Sequence, residues 1–249
     1  MKPSRYHTTM IKRMLARMRR KPRGQSFLEL VLVVMILALL LVGVVEFGFM
    51  LNNYLHVLDG AREAARYSSA NIAFSWDNST NPVTLVENPS FYYIASSTAA
   101  ATMDPVILNP ANPDDIVISV FSVSGTANTI MRFPSADPNG WSLCNHYAAF
   151  KASFPSGQVP SQLSNTGWSS GCTVQPSQLS KANIQSRMDS SAPNTGVLLV
   201  EVYYNYPQLL KLFSHIGFMG VNYSIIPDPI PLYVYTVMPL SSAEPTQVP

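Results

Sequence analysis

The sequence predicts an α+β protein, with a long N-terminal transmembrane-and-stem helix followed by an extracytoplasmic head of mixed helix and sheet. Three observations carry that prediction. Leu30 to Val45 is an unbroken apolar run. Apolar and small residues then recur at helical spacing to about Tyr67. Beyond Ala70 the composition turns to Pro, Ser, Asn and Thr, with short β-rich runs between turn residues.

The first element is a basic leader, residues 1–24. It holds Lys2, Arg5, Lys12, Arg13, Arg17, Arg19, Arg20, Lys21 and Arg23, nine of the sixteen basic residues, and no acid. From Gly24 onward seven basic residues face fourteen acidic ones, a net of −7, so the overall charge of +2 conceals a leader of +9 on an acidic body. A negative body argues against nucleic acid as its partner, whereas the leader suits anionic lipid.

The second element, residues 25–51, has the ~20-residue length needed to cross a bilayer. Because every flanking positive charge lies on its N-terminal side, the leader is expected in the cytoplasm and everything past Leu51 outside. A secretory signal peptide is the competing reading. The apolar run exceeds the usual ~7–15 residues of a signal core, and Gly43 to Leu51 offers bulky residues and Glu46 where a small-x-small site should lie.

Glu29 separates this helix from a generic anchor. A carboxylate at the start of a membrane span is costly and calls for a partner. If a peptidase cut after Gly24, Gln25 would carry a new α-amine with Glu29 four residues on, along one helical face. Amine and carboxylate would neutralise each other, within a chain or between staggered neighbours, and the cut would remove the basic leader.

A basic leader ending in Gly, with Glu at the fifth mature position and an apolar helix behind it, resembles the class III signal of type IV pilins. The wider pattern is similar to the TadE-like family of tight-adherence pilus assembly proteins. It comprises Gly24-Gln25-Ser26 with Glu29, the apolar run, Val45-Glu46-Phe47-Gly48, and Gly60-Ala61-Arg62-Glu63-Ala64-Ala65-Arg66-Tyr67. The resemblance covers roughly Gly24 to Ser69. It implies a minor pilin or pseudopilin acting in pilus biogenesis and adhesion. It also implies cleavage by a prepilin peptidase and cooperation with other pilin-like subunits, an inner-membrane platform and a secretion ATPase. The sequence departs from the family in placing Leu30 after Glu29, where Phe is frequent, and in lacking a Pro near Met35.

The third element, residues 52–70, is an amphipathic stem. Leu51, Tyr54, Leu55, Leu58, Ala61 and Ala65 mark one face, and Asn52, Asn53, Asp59, Arg62, Glu63 and Arg66 lie between them. Gly60 with Ala64, and Ala61 with Ala65, place small residues four apart, where another helix can approach closely. Packing on this chain's own head and packing on a neighbouring subunit both fit that spacing. The pairs Asp59–Arg62 and Glu63–Arg66 read as solvating charges.

The head, residues 71–249, begins with a helix over Phe91 to Met103, capped by Asn88-Pro89. Strands are predicted at Ile116 to Val123, Val197 to Tyr206, Val221 to Ile226 and Leu232 to Met238, all rich in β-branched and aromatic residues. Leu209, Leu210, Leu212, Phe213, Ile216 and Phe218 read as a short helix or apolar loop in the core, or as a subunit contact if exposed. Pro134 to Pro193 is the least regular stretch, and Pro160-Ser-Gln-Leu-Ser164 recurs in it at Pro176 to Ser180.

The two cysteines, Cys144 and Cys172, both fall in that stretch, on the side expected to be oxidising. One disulfide closing the loop between them is the expectation, with free thiols or metal binding as the alternatives. His146 is the one other soft ligand nearby, so no metal site is expected. Cys144, His146 and Asp137 invite comparison with a thiol hydrolase, although disulfide pairing accounts for Cys144 more simply. The four histidines are scattered, and HExxH, GxSxG and Gly-rich phosphate loops are missing. Asp104, Asp114, Asp115 and Asp137 stand in turn-like contexts without the spacing of a calcium loop. The chain therefore reads as a non-enzyme without a cofactor, held in the cytoplasmic membrane. An unprocessed signal-anchored binding module is the alternative to a filament subunit.

Overall fold

A computed structural model describes residues 25–77, 79, 84–124, 129–155, 158–187, 195–211, 216–218, 221–223 and 227–244. The leader and Gly24 lie outside the described residues, as do 212–215, 219–220 and 224–226 of the predicted apolar cluster and third strand. The chain divides into two compact units, Met1–Gly48 and Phe49–Pro249.

Helix α1, Gln25–Ser68, is 44 residues long and contributes to both units. In the first unit, Phe27 to Leu41 carry apolar side chains that are exposed almost without interruption. Every backbone group inside such a helix is bonded within it, so this surface is compatible with lipid. The helix is long and apolar enough to cross a membrane.

In the second unit the same helix becomes a core element. Val57, Ala61, Ala64 and Ala65 are fully buried, and they share one cluster with Phe91, Tyr92, Ala95, Ala99 and Met103. Helix α2, Pro89–Thr102, starts where Asn88 accepts a hydrogen bond from Ser90 N and Pro89 occupies the first turn, as the sequence predicts. Gly60 explains the close approach, since a Cβ there would lie 2.8 Å from the Ala99 carbonyl oxygen and clash with the Met103 side chain. Of the two readings of the small-residue spacing, packing within this chain's own head accounts for it.

The main sheet is built from β3 (Asp115–Ser124), β4 (Thr129–Phe133), β5 (Trp141–Ser142), β6 (Thr195–Tyr206) and β9 (Ile230–Pro239). It is antiparallel, in the order β4-β3-β6-β9, with β5 also paired to β3. Alternation places Ile116, Ile118, Leu198, Val200 and Val202 against the helices, in the larger core. Phe121, Val123, Val197 and Leu199 face the other way, onto Leu179 and Ile184. Cover on both faces explains why β3 and β6 read as continuous apolar runs rather than alternating ones.

Two hairpins complete the strands, β1 (Phe74–Asp77) with β2 (Thr84–Glu87), and β7 (Ile216–Phe218) with β8 (Val221–Tyr223). Thus 216–218 is extended where a helix or loop was expected, and Leu209 and Leu210 are exposed rather than core. The irregular stretch contains helix α3, Leu143–Ala152, and the short α4, Lys181–Gln185. Each copy of the five-residue repeat buries its leucine, Leu163 in the larger core and Leu179 in the smaller, so the repeat acts as a pair of hydrophobic anchors.

Candidate functional site

Glu29 lies in the first two turns of α1, exposed and four residues beyond Gln25, so the two positions share a helical face. Glu46, the other acid of the apolar stretch, is buried. Along the stem Arg66 donates to Glu63 through both Nε and a terminal nitrogen, and Arg62 stands 3.7 Å from Asp59. The hydrogen bond from Arg66 holds the Glu63 carboxyl below its ordinary range. These pairs are exposed and solvate the stem, as their spacing predicts.

Cys144 and Cys172 form the expected disulfide, with Cα atoms 5.7 Å apart. What the sequence does not reveal is its brace. Asp115, fully buried at the start of β3, accepts hydrogen bonds from Cys144 N (3.1 Å), Gln175 N (3.0 Å), Ser142 Oγ (2.6 Å) and Ile116 N (2.9 Å). One carboxylate thus holds the backbone beside both cysteines. Burial pushes its pKa up to about 6, and the four donors oppose that rise. Asp114 is built alike, accepting from Asn109 N and from the Asn205 backbone and side chain, and burial pushes it to about 6 as well. Backbone N–H groups donate to the carboxylate oxygens of both.

The sheet's far face carries a second buried polar set. Glu201 is fully buried on β6 and accepts from Gln178 N at 2.9 Å and Tyr233 Oη at 2.6 Å. Arg132 on β4 donates to Ser119 Oγ and to the Pro138 carbonyl, and its guanidinium lies 5.2 Å from the Phe121 ring centre. Burial lowers the Arg132 pKa, and the nearby Glu201 charge opposes that shift.

The residues of the thiol-hydrolase comparison separate. Asp137 bonds His146 Nε2 at 2.7 Å, but the Cys144 sulfur is joined to Cys172 and has no thiolate to attack with. The Asp137–His146 pair instead forms one wall of a cleft of ≈ 180 Å³ lined by Glu87, Pro89, Tyr92, Tyr93, Pro134, Ala136, Asp137, Trp141 and His146. Trp141 is stacked between Tyr92 (5.7 Å between ring centres) and His146 (5.4 Å). Glu87 closes one end by accepting from Ser135 N at 2.8 Å. The cleft draws residues from β2, α2, the 134–140 turn, β5 and α3, and sequence reasoning missed it. Its one local signal is the Asp137–His146 spacing. Among the described residues, no group of three His, Cys, Asp or Glu side chains is placed to hold a metal ion.

No curated protein and no solved structure matches the chain. A family model does: residues 24–66 match the family described as TadE-like protein, covering the apolar helix and most of the stem. The N-terminal part of this chain, through Arg66, is therefore similar to the TadE-like family, and it contains a helix long and apolar enough to cross a membrane.

Proposed function

We propose that this protein is a pilin-like subunit, a minor pilin or pseudopilin, of a tight-adherence pilus system, acting in pilus biogenesis and adhesion and having no enzymatic activity. Its N-terminus lies in the cytoplasm and its head outside. A prepilin peptidase cuts between Gly24 and Gln25, and other pilin-like subunits, a platform protein and a secretion ATPase assemble it. One observation carries the reading: Gly24 and Glu29 fall inside the segment that matches the TadE-like family, at the start of an exposed apolar helix. A disulfide in the head supports the outward topology, since such bonds persist in oxidising compartments.

Mass spectrometry of the protein from native membranes tests the processing step. A chain beginning at Gln25 supports it, and a chain still carrying Met1 to Gly24 refutes it. Assembly is tested apart from cleavage with Glu29→Ala, which is expected to leave an anchored, folded protein and cells without surface pili. Normal piliation in that strain would sink the filament role.

A second reading follows from the stem. Its small residues are spent on the chain's own core, which suits an unprocessed, signal-anchored binding module outside any filament. Replacing residues 25–47 by an unrelated membrane helix distinguishes the two, because full function after the exchange fits the module alone.

A further inference from the structure

Strand β9 is an edge of the main sheet. It pairs with β6 on one side, and among the described residues no strand pairs with its other side over its 10 positions. Two hydrogen bonds fix where its backbone groups point. Leu240 N donates to Gly196 O one step beyond the Val197–Pro239 pair, so the even-numbered pairs of the β6–β9 register are the bonded ones. Asn205 N of β6 donates the other way, to Asp114 beside the start of β3. The odd-numbered residues of β9, namely Pro231, Tyr233, Tyr235, Val237 and Pro239, therefore aim their backbone groups away from β6.

Such an edge is a template for another strand, and proteins ordinarily guard it with charge or keep it short. Ile230 to Pro239 carries no charged residue. Its two prolines have no N–H to offer, and Tyr235 lies midway between them. Read outward from Tyr235 in either direction, the edge offers an N–H at the second residue and none at the fourth. An edge with that symmetry complements itself when two copies run antiparallel. With Tyr235 opposite Tyr235, Tyr233 meets the second copy's Val237, and the prolines meet at the two ends of the ladder. Each copy then donates three hydrogen bonds, from Tyr233, Tyr235 and Val237. The side chains of Tyr235 and Val237, 43% and 44% exposed, become aromatic and β-branched cross-strand partners with no like charges opposed.

We propose that β9 pairs antiparallel with β9 of a second copy about a twofold axis at Tyr235, joining two heads through one continuous sheet. Ten residues span about 34 Å and a sheet with its side chains is about 10 Å thick, so the contact buries roughly 700 Å² over both copies. Freestanding complexes bury ~1,200–2,000 Å². The contact is therefore sized for copies already brought together. Helix α1, long and apolar enough to cross a membrane, does this by confining them to one bilayer. The proposal rests on that anchoring and not on the filament reading.

The two native cysteines are bonded to each other, so an added cysteine is the one free thiol. The test is oxidation by copper phenanthroline of the full chain carrying Tyr235→Cys, Val237→Cys or Met131→Cys in phosphatidylcholine vesicles, with covalent dimer read on non-reducing gels. Opposed residues of a bonded antiparallel pair have Cα atoms ~5.5 Å apart, within disulfide reach. The two Val237 positions would lie four residues, about 13 Å, out of register. Met131, exposed on β4 at the opposite edge, reports random collision. Tyr235→Cys should dimerise at least ~tenfold faster than either control, because only its thiols are held face to face. Equal rates in all three, or no dimer from Tyr235→Cys, overturns the proposal. Faster coupling between mixed Tyr235→Cys and Val237→Cys chains than within either overturns the twofold at Tyr235. Trapping of Tyr235→Cys on a different protein in native membranes, and not on itself, overturns the choice of partner. The wild type needs no substitution: hydrogen exchange at the Tyr233, Tyr235 and Val237 amides should slow about tenfold between dilute detergent and crowded vesicles. Unchanged exchange there overturns the pairing.

Discussion

Gly60→Val is the perturbation that most directly separates packing within the head from packing between subunits. A Cβ at this position would sit 2.8 Å from the Ala99 carbonyl oxygen and closer still to the Met103 side chain, where carbon contacts prefer ~3.5–4.0 Å. Met103 is fully buried, and the carbonyl belongs to the backbone of α2, so neither can move freely aside. Overpacking of this kind costs about 1–3 kcal/mol. Valine regains only ~0.3 kcal/mol of helix propensity over glycine. The net loss of about 1–3 kcal/mol corresponds to a fall of roughly 3–10 °C for a domain of this size. Gly60→Ala adds one carbon and regains ~1 kcal/mol of propensity, so its loss should be smaller. Gly48→Val is the control, because nothing lies within 4 Å of a Cβ there. The assay is thermal unfolding followed by near-ultraviolet circular dichroism, on monomeric protein diluted in detergent. If Gly60→Val melts with the wild type under those conditions and fails only in assembly, the small-residue face serves a neighbour and the packing argument is wrong.

Three other outcomes are expected. Cys172→Ser should destabilise the head by about 3–4 kcal/mol from the loop entropy of a 28-residue separation, read as a lower urea midpoint that reducing agent reproduces in the wild type. Asp115→Asn should cost about 2–4 kcal/mol at neutral pH even though it removes a buried charge. Whichever oxygen becomes NH₂ then faces a backbone N–H, from Cys144 and Ile116 on one side or Gln175 on the other. A urea midpoint equal to wild type would contradict that brace. Finally, Asp114 and Asp115 sit at about 6 in the fold, against ~3.9 in an unfolded chain. A raised carboxyl pKa gives stability that is complete below the unfolded value and lost as pH rises through the folded one. Their contribution should therefore fall between about pH 4 and pH 6 and stay flat above. Asp114→Asn should shrink the difference between urea midpoints at pH 4.5 and 7.5, and an unchanged difference would refute it.

The elements legible in the sequence are those whose signal is local. Helix α1 announces itself through an unbroken apolar run and a continued 3.6-residue spacing, and β3, β6 and β9 through β-branched residues over 10, 12 and 10 positions. The strands β1, β2 and β5 are four, four and two residues long, too short for a period to register. Helix α3 was hidden by its Pro- and Ser-rich surroundings. Its cues were present, however: Ser142 caps it, and Leu143, Tyr147 and Phe150 recur at helical spacing on its buried face. The cleft and the Asp115 brace were beyond local reading. They depend on pairings such as Ser135 N with Glu87 across 48 residues and Gln175 N with Asp115 across 60.

The burial of the stem narrows how this chain can meet its neighbours. Close helix packing needs small residues on a free face, and Gly60, Ala61, Ala64 and Ala65 are not free, because α2 and the larger core cover them. The outward positions of the stem include Leu51, Asn52, Leu55, Asp59, Arg62, Arg66 and Tyr67, a face that becomes charged from Asp59 onward. By contrast, Phe27 to Leu41 offers bulky, exposed apolar side chains throughout, with Glu29 as its one charge. Lipid and a neighbouring helix are both acceptable cover for that surface, and under the proposed cleavage a neighbour's N-terminal amine would neutralise Glu29. If subunits associate through α1, the contact must therefore lie in this upstream part. Substitutions at Arg62 or Arg66 should then leave assembly intact, whereas a change at Glu29 should abolish it.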